Sequence, residues 1–391
     1  MQKIATRSAM AVGMVLAAGL ALTGCTSSPT PASTASAAAT GAVDLSGICP
    51  ATVIIQTDWN PEAEHGHLYQ LLGANPVINA DKKSVSGELD YKGESTGVKV
   101  EIRSGGPAIG FATVTSQMYQ DKDITLGYVT TDEAVQLSAK NPTTAVFAPL
   151  DIGPQMIMWD PATYPKVKTI KELGAALETS GGVVRYFGGA AYMDYLTGSG
   201  TLPKSVVDGT YDGSPAKFVA AKGKDAQQGF ASAEPYVYSK EIAAWGKKLD
   251  FHLTNDVGYP VYASAMSVRS ADLTTLSPCL KMLVPVLQQA EVDYFAKPAA
   301  TNKLVLDLVT AYNNGWVYTA GAADYSVAEM KKLKLIGNGD NAYMGDMDTA
   351  RVHKVIDIDT PIFTASNSAP KANLAPSDIF TNEFLDKTIG F

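Results

Sequence analysis

The segment Thr57-Asp58-Trp59-Asn60-Pro61, followed closely by His65 and Tyr69, gathers a carboxylate, an indole, an amide, an imidazole and a phenol. Residues of these types suit holding a small molecule. Aromatic faces stack on a planar ligand and gain about 0.5–1.5 kcal/mol beyond the area they bury, while carboxylates such as Asp58 and Glu234 accept from its amino or hydroxyl donors. Tyr192, Glu234-Pro235-Tyr236 and Gly258-Tyr259-Pro260-Val261-Tyr262 repeat the combination further along. Each has a plainer reading beside the functional one. Trp59 either faces a ligand or caps the first strand in the core. Glu234 either contacts a ligand or favours the positive end of a helix dipole. Tyr259 and Tyr262 suit a hinge or core as well as a site. Ser104-Gly105-Gly106-Pro107 is either a turn or a presenter of backbone N–H groups.

Catalytic and metal chemistries find less support. Glu62, Glu64, His65 and His67 cluster, but two imidazoles spaced H-x-H on a helix point about 200° apart, and the chain has only 4 His. No metal and no cofactor is expected. No phosphate-binding Walker loop occurs. Acid pairs such as Asp58 with Glu64 are common in a chain with 39 acidic residues and carry no glycosidase signal. The expectation is a binding protein, not an enzyme. A formal charge of −8, with no basic stripe, argues against nucleic acid.

The hydrophobic residues are unevenly placed. Lys3 and Arg7 precede an apolar run from Ala9 to Leu22, too short to span a bilayer and suited to a secretory signal. Leu22-Thr23-Gly24-Cys25 resembles a bacterial lipobox, which implies cleavage after residue 24 and acylation of Cys25, a palmitate-type anchor to the outer face of the cell membrane. Cleavage removes Lys3 and Arg7, leaving 29 basic against 39 acidic residues and a formal charge of −10. Residues 25–46 read as the lipidated cysteine and a Ser/Thr/Ala/Pro-rich tether. Export permits a disulfide between the remaining cysteines, Cys49 and Cys279; two separate buried thiols are the alternative.

The body alternates strands with helices, the pattern of a mostly parallel sheet with ligands at the carboxyl ends of its strands. Strands are expected at 52–57, 97–103, 124–129, 144–147, 155–159, 182–187, 226–230 and 260–268. Helices are expected at 169–177, 190–196, 236–246, 278–295, 302–312, 327–333 and 379–388. Residues 47–159 and 259–391 form the first expected lobe, and 160–258 the second. Two lobes joined by crossing segments make a hinge, with the ligand cleft between them.

The Trp59-Asn60-Pro61 and His65…Tyr69 pairing resembles the opening of the thiamine-pyrimidine-precursor family and the related nitrate, sulfonate and taurine binding proteins of ABC importers. Asp123-Ile124, Val167 to Leu173 and Asp225 to Pro235 add to the likeness, which covers about residues 52–268. It implies an α/β, type II periplasmic-binding-protein fold and a monomer that delivers its ligand to permease and ATPase subunits. It also implies that Trp59, His65 and Tyr69 approach the cleft from one lobe and Tyr192, Glu234 and Tyr236 from the other. The expected ligand set is Asp58, Trp59, Asn60, His65, Tyr69, Gly105, Gly106, Phe187, Tyr192, Glu234, Tyr236 and Tyr259. Beyond the signal segment only Arg103, Arg185, Arg269 and Arg351 are arginines, which favours a neutral or amine-bearing heterocycle such as an aminopyrimidine or flavin-like molecule. An organic anion such as a sulfonate or nitrate is the alternative, and a surface sensor lipoprotein without transport is a second.

Overall fold

The structure is a computed structural model and describes residues 42–391. The signal segment, Cys25 and most of the tether fall outside the described residues. In chain order the strands are β1 (Thr52–Gln56), β2 (Val77–Asn79), β3 (Ser84–Tyr91), β4 (Glu94–Arg103), β5 (Ile124–Val129), β6 (Thr143–Phe147), β7 (Gln155–Trp159), β8 (Val184–Arg185), β9 (Val207–Asp208), β10 (Ala226–Phe230), β11 (Asp250–Leu253) and β12 (Ala265–Arg269).

One sheet runs β2-β3-β4-β1-β5-β12-β6 and the other β11-β7-β10-β8-β9. In the first, β1 lies parallel to both β4 and β5. The strand β12 returns much later in the chain, antiparallel to β5 and β6. Every residue of β5 is buried, as expected of a central strand covered on both faces. A Cβ at its Gly127 would come within 2.6 Å of Val114 and Met118, so the helix Val114–Gln120 sits directly on that strand.

The strand β7 joins the two halves of the core. Its alternate residues point to opposite faces, so Met156 and Met158 enter one apolar cluster with Val53 and Ile55, while Ile157 and Trp159 enter a second with Ile124 and Val129. It pairs with β10 and β11 in the second sheet. The strand therefore does not belong with the first-lobe segment 47–159, because its ladder partners are both second-sheet strands. Both sheets lie within one compact unit.

Other expectations change in detail. The hairpin β3–β4 turns at Lys92 and Gly93, both with positive φ, the conformation a two-residue type I′ turn requires; charge within Ser84–Tyr91 hides the strand. The segment expected to be helical over 236–246 is a short helix, Glu234–Tyr236, running into a π-helical turn, Val237–Glu241. Near the C-terminus only Pro376–Ile379 is helical. Phe380 then bridges Ala145 on β6, and the Thr381 N–H donates to the Ala145 carbonyl, which covers a sheet edge. The strand expected over 260–268 is confined to β12, since Pro260 has no N–H for a ladder. The helix Thr349–Ala365 was not expected from its Asp- and Thr-rich sequence; Asp348 caps it by accepting from the Arg351 N–H. By contrast, Thr169 and Glu172 form a full capping box at the helix Ile170–Ser180.

Cys49, just before β1, is bonded to Cys279 on the long helix Leu273–Ala296. The same helix presses Tyr294 against Gly66, where a Cβ would meet the phenol ring at 2.1 Å. That approach requires glycine between His65 and His67.

Candidate functional site

Between the two sheets lies a cavity of about 280 Å³ lined by residues from both. Two larger hollows, of about 570 and 640 Å³, lie elsewhere: one beside the β3–β4 turn, the other at the amino end of β1. The smaller cavity is the candidate site because it sits where β1 and β10 end at their carboxyl termini and gathers buried ionisable groups.

The first sheet contributes Asp58 and Trp59, immediately beyond β1, then Glu62 and Glu64, and Ser264 just before β12. The second contributes Gln155 from β7, Gln228, Gly229 and Phe230 from β10, Phe187 after β8, Tyr211 after β9, and Glu234. Trp316 comes from the loop that follows the helix Ala299–Tyr312. Among the described residues, no lysine, arginine or histidine lines the cavity.

The loop carrying Trp59 is tied down on all sides. The Thr57 hydroxyl donates to the Trp59 carbonyl at 2.9 Å, and the Gly105 N–H donates to the same oxygen at 2.9 Å. Gly105 lies so close that a Cβ would stand 2.2 Å from the Thr57 carbonyl, and Gly106, at φ +54°, packs under the Trp59 ring. The Gly105 N–H is therefore occupied, and the two glycines serve the site by supporting Trp59. Asn60 accepts a 2.7 Å hydrogen bond from the Asn314 side chain, and the Trp316 indole donates to the Pro61 carbonyl at 3.3 Å. The tripeptide Trp59-Asn60-Pro61 thus supplies one wall and anchors another. The two indoles meet edge-on at 6.0 Å, and Phe187 packs against Tyr211 at 4.8 Å.

The carboxyls differ sharply. Burial pushes Asp58 up, but His65 Nε2 at 3.0 Å and the Ser264 hydroxyl at 2.7 Å outweigh it and hold the group below its usual range. Glu64 is pushed up to about 8 by burial, with Asp58 and Glu234 adding to the rise and the Ser232 hydroxyl opposing it. Glu62 is raised well above the carboxylate range by burial and by Glu64, Asp58 and Glu234. Burial lifts Glu234 to about 7, although its carboxylate accepts from the Phe230 N–H at 2.7 Å.

Of the expected set, Asp58, Trp59, Phe187 and Glu234 line the cavity. His65 is buried behind Asp58. Tyr69 is buried in the core, and Tyr192 donates to Gln228 at 2.7 Å from behind. Tyr236 packs on Tyr325 away from the cavity. Tyr259 is buried between Asp132 and Asp359, donating to the latter at 3.0 Å. His67 faces Tyr128 and Glu291, away from His65. Gln155, Tyr211, Gln228, Ser264 and Trp316 were not singled out from sequence. Two signals were there: the polar pair Gln227-Gln228 inside a buried strand, and a tryptophan in the Asn- and Gly-rich stretch Asn313-Asn314-Gly315-Trp316.

No protein-family model and no curated protein matches the chain. Solved structures do. The periplasmic aliphatic sulphonate binding protein SsuA from Escherichia coli is similar over 86% of this chain and 94% of its own, at 13% identity and a TM-score of 0.54. A Bordetella bronchiseptica RB50 protein is similar over 86% and 96%, at 15% identity and a TM-score of 0.51. With two α/β sheets enclosing a cavity at their strand ends, the chain has the type II periplasmic-binding-protein fold.

Proposed function

We propose that the protein is the extracytoplasmic solute-binding component of an ABC importer, anchored through Cys25 and holding a small planar, amine-bearing molecule between lobes that close about a hinge. The ligand then passes to permease and ATPase subunits. One observation carries the ligand class: among the described residues the cavity combines four carboxyls with five aromatic rings and no basic side chain. An amine-bearing heterocycle suits such walls, since rings stack on its faces and carboxyls accept from its amino group. The two glutamines extend the match. Gln155 donates to the Met156 and Gly229 carbonyls, leaving its own oxygen as an acceptor. Gln228 uses its oxygen to accept from the Phe187 N–H and the Tyr192 hydroxyl, leaving its amide N–H group as a donor. A ring nitrogen beside an amino group would complement both. The absence of lysine and arginine from the lining counts against an organic anion such as a sulfonate.

Native mass spectrometry of freshly purified protein is expected to reveal a retained small molecule, and a thermal-shift panel to give stabilisation with aminopyrimidines. Stabilisation by taurine or alkanesulfonates, with none by aminopyrimidines or flavins, would overturn the ligand class.

A further inference from the structure

Resting on the reading of this cleft as the binding site, we propose that its ligand binds as an organic cation, its charge met by Glu62 and Glu64. Glu62 is 6% exposed and lines the cavity, and among the described residues its carboxylate has no hydrogen-bond partner; the nearest cationic group, His65 Nε2, is 3.8 Å away and already engaged by Asp58 at 3.0 Å. A buried carboxylate without a counter-charge is costly, so Glu62 and Glu64 favour their neutral forms unless a cation meets them, in line with the upward displacement of both.

Among the described residues the surroundings offer no alternative counter-charge. His65 is the histidine beside them among the described residues, and Asp58 takes it. Asp58 and Glu234 are further carboxyls. Phenols facing the pair from the packed elements (Tyr69, Tyr128, Tyr294 and Tyr318) are all raised by burial and stay neutral. On the far side Tyr211, Tyr238 and Tyr325, around Glu234, are raised likewise. Trp59, Trp316, Phe187 and Tyr211 line the same cavity, and aromatic faces attract cations. A cation entering this cleft exchanges its charge for the protons on the glutamates.

The test uses the isosteric probes benzamidine, benzamide and benzoate on the exported protein. Benzamidine is expected to raise the melting temperature, with benzamide and benzoate inert. In calorimetry its heat should vary with the buffer's ionisation enthalpy, reporting proton release. Its affinity should rise at least about tenfold from about pH 6 to pH 8.5. Glu62→Gln keeps the shape and should cost benzamidine about tenfold in affinity, with its own unfolding curve confirming the fold. Binding of benzamide or benzoate at least as tight as benzamidine, unchanged benzamidine affinity in Glu62→Gln, or no benzamidine binding at all would each overturn the proposal. Trp59→Ala separates the two readings. If it abolishes binding of a neutral or anionic probe, the cleft stands and the cation falls; if probes bind and it has no effect, the cleft reading falls as well.

Discussion

Asp58 and Glu64 face one cavity with opposite displacements, and hydrogen bonding to the charged form separates them. Asp58 has His65 and Ser264 to hold its charge, whereas Glu64 has one hydroxyl against burial and two like charges. The consequence for stability has a definite sign. A carboxyl lifted from 4.5 to about 8 by folding stabilises the native state fully below its unfolded value, and that stabilisation is lost as the pH rises through about 8. Glu64→Gln is permanently neutral and can still accept from Ser232. It should therefore match the parent in melting temperature near pH 5 and exceed it by at least about 2–4 °C near pH 9. Paired thermal scans across this range would check the prediction, and a pH-independent difference would refute it.

At the scale of elements, the helix Thr349–Ala365 clasps the segments that cross between the sheets. Its Arg351 donates to the Asp151 carbonyl at 2.6 Å, to Pro260 at 2.7 Å and to Val261 at 3.0 Å, and lies 3.7 Å over the Tyr262 ring. About two turns further along the helix, Asp359 accepts from the Tyr259 hydroxyl at 3.0 Å. The planar fork of arginine is what satisfies carbonyls from two separate segments. Arg351→Met should lower unfolding free energy by about 2–3 kcal/mol, and Arg351→Lys should recover little of it, measured by denaturant titration. Full recovery by lysine would mean that charge, not geometry, is the basis. The C-terminal segment acts in the same way on the site: Asn314 and Trp316 bind Asn60 and Pro61, so an element remote in sequence completes the cavity wall.

At the scale of the whole molecule, the disulfide joins residues 230 positions apart, fixing the start of the first strand to the helix that covers its sheet. Closing so long a loop restricts the unfolded chain, worth about 3–5 kcal/mol. Changing both Cys49 and Cys279 to alanine should lower the melting temperature by about 6 °C or more, and reducing agent should do the same to the parent but nothing further to the double variant. An unaltered melting temperature in the double variant would show that helix packing alone holds this junction.

The sequence by itself determined the alternation of strands and helices, the central strands and the start of the helix Ile170–Ser180. These follow from local causes: β-branched runs such as Thr52–Gln56 and a capping box at Thr169 and Glu172. It also marked Asp58, Trp59, Phe187 and Glu234, because aromatic and acidic residues at strand ends are visible as residue types. Only tertiary structure decided which tyrosines face the cavity and which face the core, since Tyr69, Tyr192 and Tyr259 have the same chemistry as Tyr211 and differ in packing alone. Tertiary structure likewise turned Glu62 and Glu64 from surface-like acids beside two histidines into buried walls of the cavity. Their burial and mutual repulsion arise when segments from the two sheets and the C-terminal region meet, which no local pattern encodes.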